Sequence, residues 1–161
     1  MAFHSYMSIT GKRQGLISAG CSTESSIGNR YQAVHCDEIM VLSFKHQLTN
    51  LDNTRRASHQ PVTLTKPIDK ATPLLAQALH EREVVECLFN FYRIDAAGHH
   101  EKYFSIQLTG GLIVQHQVDV PHSVLMTDQD AQEYVSIRYR DISWRHHAAS
   151  TGAFATWGDE Q

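Results

Sequence analysis

The chain has no apolar run long enough to cross a bilayer: its longest nearly apolar stretch is 39–42, where a spanning helix needs about eighteen residues. No membrane insertion is expected. A basic excess is also missing. Lys plus Arg number 14 against 17 Asp plus Glu, for a formal net charge of −3. A protein that tracks phosphates carries the opposite balance, so nucleic acid is not an expected partner. Cysteine is scarce, with Cys21, Cys36 and Cys87 forming no CxxC or finger-like pair, which implies reduced thiols. Cys21 lies among small neighbours in SAGCSTE and reads as an exposed thiol, whereas Cys36 and Cys87 read as strand residues. The opening stretch MAFHSYMSITGKRQG lacks the basic n-region and apolar core of a Sec signal, so no signal peptide is expected.

The motifs of chemistry are absent too. There is no GxSxG nucleophile elbow, no HExxH, and no GxGxxG or phosphate loop, since Gly11, Gly15 and Gly20 are wrongly spaced. Eleven histidines in 161 residues invite a metal reading, but His99-His100 and His146-His147 are adjacent pairs, and neighbours on a strand point to opposite faces. They read instead as surface and strand-edge groups whose protonation would reverse the sign of the net charge near pH 6. No catalytic residue, cofactor or metal is expected.

What the sequence does have is alternation. At 161 residues with 42% hydrophobic, it is sized for one domain that buries roughly two thirds of its unfolded surface. In 102–109, Phe104, Ile106 and Leu108 oppose Tyr103, Ser105 and Gln107, the pattern of a half-buried strand. Gly110-Gly111 reads as a hairpin turn into Leu112, Val114, His116, Val118 and Val120; upstream, Val85, Cys87, Phe89 and Phe91 repeat the period before a turn at 95–98. Three strands thus form a meander. Phe3, Met7 and Ile9 share a face, and 39–44 is apolar on both faces like a central strand. In 134–147 the phase changes from Val135, Ile137 and Tyr139 to Ile142, Trp144 and His146, which predicts a β-bulge at Arg140-Asp141 that lets a strand bend between two sheets.

One helix stands out, with Thr72 as capping residue, Pro73 at the first helical position and an apolar stripe of Leu74, Leu75, Ala78 and Leu79. At about ten residues and 15 Å it must pack on the sheet. The segment 45–60, KHQLTNLDNTRRASHQ, has neither period and no glycine or proline. Structureless stretches of this length are unusual inside a domain. It reads either as a mobile loop or as an arm that becomes ordered against another subunit, with Leu48 and Leu51 as apolar contacts and Arg55 and Arg56 as polar ones. Ser43 and Lys45 alternate against Leu42 and Phe44, which makes them candidates for a solvent-lined face. The domain is expected over 1–147, with 148–161 as a C-terminal tail.

At 65–75, TKPIDKATPLL, the chain strongly resembles the Hcp family, the haemolysin-coregulated proteins that build the inner tube of the type VI secretion system. MAFHSYMSITG, SIGNRYQ, DEIMVLSFKH, SHQPVTLTK, YFSIQLTGG and VSIRYRDISWRHH are similar to the enterobacterial branch in the same order. The resemblance implies a mainly β fold: a small β-barrel of two antiparallel sheets with one flanking α-helix and a long extended loop. It implies a structural subunit, not an enzyme. Six copies would form a homo-hexameric ring through the loop at 45–60, and rings would stack into a tube. Assembly would take place in the cytoplasm, with export through the apparatus, without a signal peptide, when the contractile sheath shortens. Sheath and spike proteins and small carried effectors are the implied partners, and Ser43 and Lys45 would face the lumen or the exterior. Only about fourteen residues follow His147, which fits a plain tube subunit and not one with a fused toxic domain. The alternative from another class is a small ligand-binding β-barrel, which would be monomeric with an apolar interior pocket.

Overall fold

In the computed structural model, which describes residues 5–157, the elements follow in order: β1 (Ser5–Gly11), β2 (Gly15–Leu16), α1 (Glu24–Ile27), two 3-10 turns (Gly28–Arg30 and Ala33–His35), β3 (Ile39–Val41), β4 (Ser43–Lys45), β5 (Leu48–Thr49), β6 (Ser58–His59), β7 (Val62–Pro67), α2 (Thr72–His80), β8 (Val85–Ile94), β9 (His100–Asp119), β10 (Gln132–Arg138), β11 (Asp141–His146) and β12 (Thr151–Thr156). Phe3 and the acidic end of the C-terminal segment lie outside the described residues. The fold is mainly β, as the alternation implied. All pairings are antiparallel, in the order β1-β8-β9-β10-β7, with β11 and β12 branching from the first half of β9.

The largest departure from the sequence reading is at Gly110-Gly111. No hairpin turn forms there: β9 runs through both glycines as one strand of 20 residues. Its first half pairs β8 and β11, with Phe104 opposite His146 and Thr109 opposite Asp141; its second half pairs β10 from Leu112 to Asp119. The glycines serve close approach. Gly110 has φ +64 and a Cβ there would lie 2.9 Å from Arg140 Cβ, while a Cβ on Gly111 would meet the Val85 carbonyl oxygen at 2.9 Å. Across from them Tyr139 and Arg140 leave the ladder, and the Arg140 amide donates to the Thr109 carbonyl at 3.1 Å. Both strands therefore bend together, and β9 belongs to both halves of the sheet.

This corner also corrects the bulge expected at Arg140-Asp141. The phase does change there, and Tyr139 and Ile142 are both buried, but the register is the same on either side of the corner. The inserted residue is elsewhere: Ser136 pairs Gln115 and Ile137 pairs Ile113, which leaves Val114 extra on β9. A shared bend turns side chains without adding a residue to one strand, and sequence phase alone does not separate the two.

The segment 39–44 is not one central strand. Ile39–Val41 pairs β1 and Ser43–Lys45 pairs β7, so a short segment bent at Leu42 touches both outer edges of the sheet. Met7, Ile9, Leu64, Cys87, Phe89, Ile106, Leu108, Val135, Ile137 and Ile142 fill the space between the halves. Cys21 and Cys36 exchange their expected places: Cys21 is buried, with burial pushing its thiol up to about 12, and Cys36 is exposed after the second 3-10 turn. The expected tail is also corrected over 151–156, where β12 pairs residue by residue with β11. Ala155 and Trp157 pack on the core.

The helix α2 begins one residue before its proline, and its cap is Ala71, not Thr72. Thr72 is engaged elsewhere: its hydroxyl accepts from the Asp69 amide at 3.0 Å and donates to Glu133 Oε1 at 3.1 Å. That carboxylate is part of a buried cluster. Lys66 and Glu133 are directly opposed across β7 and β10, both without exposed surface, and pair through Lys66 Nζ and Glu133 Oε1. Lys66 also donates to Asp69 Oδ1 at 2.9 Å and to the Pro67 carbonyl at 3.0 Å, and His116 Nε2 lies 2.8 Å from Glu133 Oε2. One ammonium thus ties β7, β10 and the entry to α2 together.

Lys66→Met leaves Glu133 and Asp69 buried without their cation. It should lower unfolding free energy by about 3–5 kcal/mol, read as a lower midpoint in urea; an unchanged midpoint would remove the ion cluster from the stability account. Gly111→Ala should cost about 1–3 kcal/mol because the Val85 carbonyl must give way, in the same measurement.

Candidate subunit interface

The segment 45–60 is built as an arm. Leu48–Thr49 and Ser58–His59 pair antiparallel, with Leu48 opposite His59, and the Gln60 amide donates to the Gln47 carbonyl at 3.2 Å. No glycine or proline closes its end. Asn50 does so through its side chain: Oδ1 accepts from the Thr54 amide at 2.8 Å and Nδ2 donates to the Thr54 carbonyl at 3.0 Å, while Asn53 takes φ 52. Asparagine is suited to both tasks, because it tolerates the left-handed region and mimics a backbone turn. The Asn50-Asn53-Thr54 spacing was the available signal for this turn. Beyond it, Arg55 and Arg56 are exposed, Leu48 is 40% exposed and Leu51 is 91% exposed.

The arm is fastened at its base by one hydroxyl. Tyr139, at the corner after β10, lies 2.8 Å from His46 Nε2 and 2.7 Å from His59 Nδ1, so both strands of the arm meet on the same phenol. Trp157 stacks on His59 at 5.7 Å and lies edge-on to Tyr139 at 5.0 Å, with the Arg138 guanidinium 4.8 Å above the indole. Trp144 is 6.1 Å from the His46 ring. Burial holds both histidines below their ordinary pKa, with His59 adding to the effect at His46, and burial raises Tyr139. When both rings are neutral, one N–H donates to the phenol oxygen and the phenol O–H donates to the other ring.

Ser43 and Lys45 are exposed on β4, and Phe44 between them turns inward, its ring 4.9 Å from Phe89 and 5.2 Å from Phe91. Leu42, which the alternation placed with Phe44, is 40% exposed because it occupies the bend between β3 and β4. Below the arm a cleft of about 840 Å³ opens between the halves of the sheet, lined by Phe44, Lys45, His46, Phe104, Ile106 and Trp144 among others. The sequence reading found Leu48, Leu51, Arg55 and Arg56 in one segment but did not single out His46 and His59 in that same segment, nor their partners Tyr139 and Trp157 far along the chain.

The profile of the family described as type VI secretion system effector, Hcp, matches residues 6–146. The chain belongs to the Hcp family. Among curated proteins it is 38% identical to the major exported protein of Pseudomonas aeruginosa, over 98% of this chain and 96% of that one. Two solved structures extend the likeness to the fold. The crystal structure of an Hcp protein has a TM-score of 0.90 at 32% identity, covering 97% of this chain and 98% of the other. The secreted protein Hcp3 from Pseudomonas aeruginosa has a TM-score of 0.86 at 37% identity, covering 97% and 99%. Membership makes this Hcp chain a secreted tube protein of the type VI system, structural in its work.

The clamp gives the arm a pH dependence with a definite sign. Both histidine pKa values are lowered in the folded protein, so the fold favours the neutral rings. The stabilisation is complete above the ordinary histidine value of 6.5 and is lost as pH falls below it through the lowered values. Protection of the 46–60 amides, taken as the intrinsic exchange rate at each pH divided by the observed rate, should therefore fall below pH 6 and stay constant between pH 7 and 8. In Tyr139→Phe protection of the arm should already be lower at pH 7.5, with the further loss in acid diminished; equal protection in both proteins at both pH values would dissociate the phenol from arm order.

Proposed function

We propose that this Hcp chain forms homo-hexameric rings in which the arm at 45–60 reaches the neighbouring copy, and that the rings stack into the inner tube of a type VI apparatus. The observation that carries this reading is the arm itself. It is a two-stranded extension with an apolar tip at Leu51 and a basic pair at Arg55-Arg56, all turned to solvent, and it is anchored at its base. A ring needs a contact made from two different patches on each copy that closes by rotation. An arm on one side and a barrel surface on the other supply such a pair.

The tube would assemble in the cytoplasm and leave the cell when the surrounding contractile sheath shortens, with spike proteins at its tip and small effectors held in the lumen. Ser43 and Lys45 are proposed to line a solvent-facing wall of that assembly. The contrasting ligand-binding barrel would act as a monomer, and a two-stranded arm turned to solvent has no part in that reading.

Light scattering coupled to size exclusion, at two concentrations, should give a mass near six protomers for the native chain. Arg55→Glu with Arg56→Glu should shift it to smaller species. A native protein that stays monomeric at every concentration would overturn the ring.

A further inference from the structure

The ends of the β9–β10 hairpin carry complementary surfaces. At one end is the connection between β9 and β10, residues 120–131, where Val120, Val124, Leu125 and Met126 are exposed, Leu125 at 75%. It is not shapeless. The Val124 and Leu125 amides both donate to His122 Nδ1 at 3.2 Å, the Met126 amide donates to the His122 carbonyl at 2.8 Å, and Asp130 pairs with Arg30. Apolar side chains are thus held outward on a knob, the kind of patch that marks an interaction site. Its own segment is acidic, since 119–131 contains Asp119, Asp128 and Asp130 and no Lys or Arg, with Arg30 paired to Asp130.

The arm and its cleft lie at the other end. Gln132 starts β10 beside the knob, and Tyr139, just past its end, receives the arm. Seven residues of extended chain, about 23 Å, separate the two. The arm end is concave, with Phe44, Phe104, Ile106 and Trp144 in the cleft, and basic, with Lys45, Arg55 and Arg56 against Asp52 alone in 45–60. An apolar acidic knob and an apolar basic cleft at opposite ends of one strand pair suit a head-to-tail contact between copies.

We propose that the 120–131 knob of one copy seats against the arm and cleft of the next, Leu125 and Met126 meeting Leu51 and the cleft's aromatic side chains, and Asp128 facing Arg55 and Arg56. The partner is a second copy of this chain. The proposal rests on the assembly reading above and adds the surface that receives the arm.

Cysteine pairing tests it in a Cys36→Ser background, where Cys21 and Cys87 stay buried. Mixing the Leu51→Cys protein with the Leu125→Cys protein under mild oxidation should give a disulfide-linked dimer. Its yield should exceed by roughly tenfold that of Leu51→Cys mixed with Val34→Cys, a control site 83% exposed outside both patches. In parallel, Asp128→Arg should weaken assembly, and adding Arg55→Glu and Arg56→Glu to it should recover assembled mass. If the native protein assembles but the Leu125 and Val34 pairs cross-link alike and the charge reversal recovers nothing, this docking is wrong while the ring stands. If the native protein never assembles, both fall.

Discussion

Among the described residues Lys66 carries the one fully buried ammonium ion, and three parts of the fold meet on it. Its β7 alternates Val62, Leu64 and Lys66 toward the interior, and β10 alternates Glu133, Val135 and Ile137, so the cation and its carboxylate occupy positions that would otherwise hold aliphatic side chains. A buried ion pair adds little net stability over an apolar one, because desolvation offsets most of the attraction. What it supplies is register. A one-residue slip of β7 on β10 would turn Lys66 away from Glu133 and leave both charges without partners. Asp69 and Thr72 join the same cluster, so the position of α2 is set by the pairing that fixes the strands.

With β7 and β10 fixed, the long strand β9 gives the molecule its two ends. It pairs β8 and β11 along its first half and β10 along its second, and Gly110-Gly111 let both members of the hairpin bend where the halves part. One end of that hairpin leads to the knob at 120–131, the other to Tyr139 and the base of the arm. Opposed surfaces at opposite ends are the geometric requirement for a contact that repeats from copy to copy without self-pairing.

Histidine content is put to use within the fold. His46 and His59 meet on Tyr139, His116 on Glu133, His122 shapes the knob, and His35 stacks on Tyr6 at 3.7 Å. His122 satisfies hydrogen bonds in the exposed knob; the others satisfy them or cover a ring beside the core, where a side chain both apolar in face and polar at its nitrogens is useful. The consequence is a structure whose arm base is sensitive to protonation, since two neutral rings can share one phenol and two imidazolium ions crowd it.

Local spacing, read from residues alone, determined three things: period-two alternation that this is a β protein whose 85–91 and 104–108 face inward on alternate positions, Pro73 and the apolar stripe that 72–80 is helical, and the lack of either period that 45–60 differs from the rest. In TKPIDKATPLL, Lys66, Asp69 and Thr72 are three contributors to one cluster within seven residues of chain. Their fourth, Glu133, is 67 residues away, and no local pattern names it. The same limit applies to the Gly-Gly pair, where a turn and a close backbone approach ask for the same residue, and to 151–156, whose small residues become a strand only when β11 is there to pair with. Tertiary structure decided what depends on a partner brought from far along the chain: the shared corner, the phenol that holds the arm, and the separation of knob from cleft.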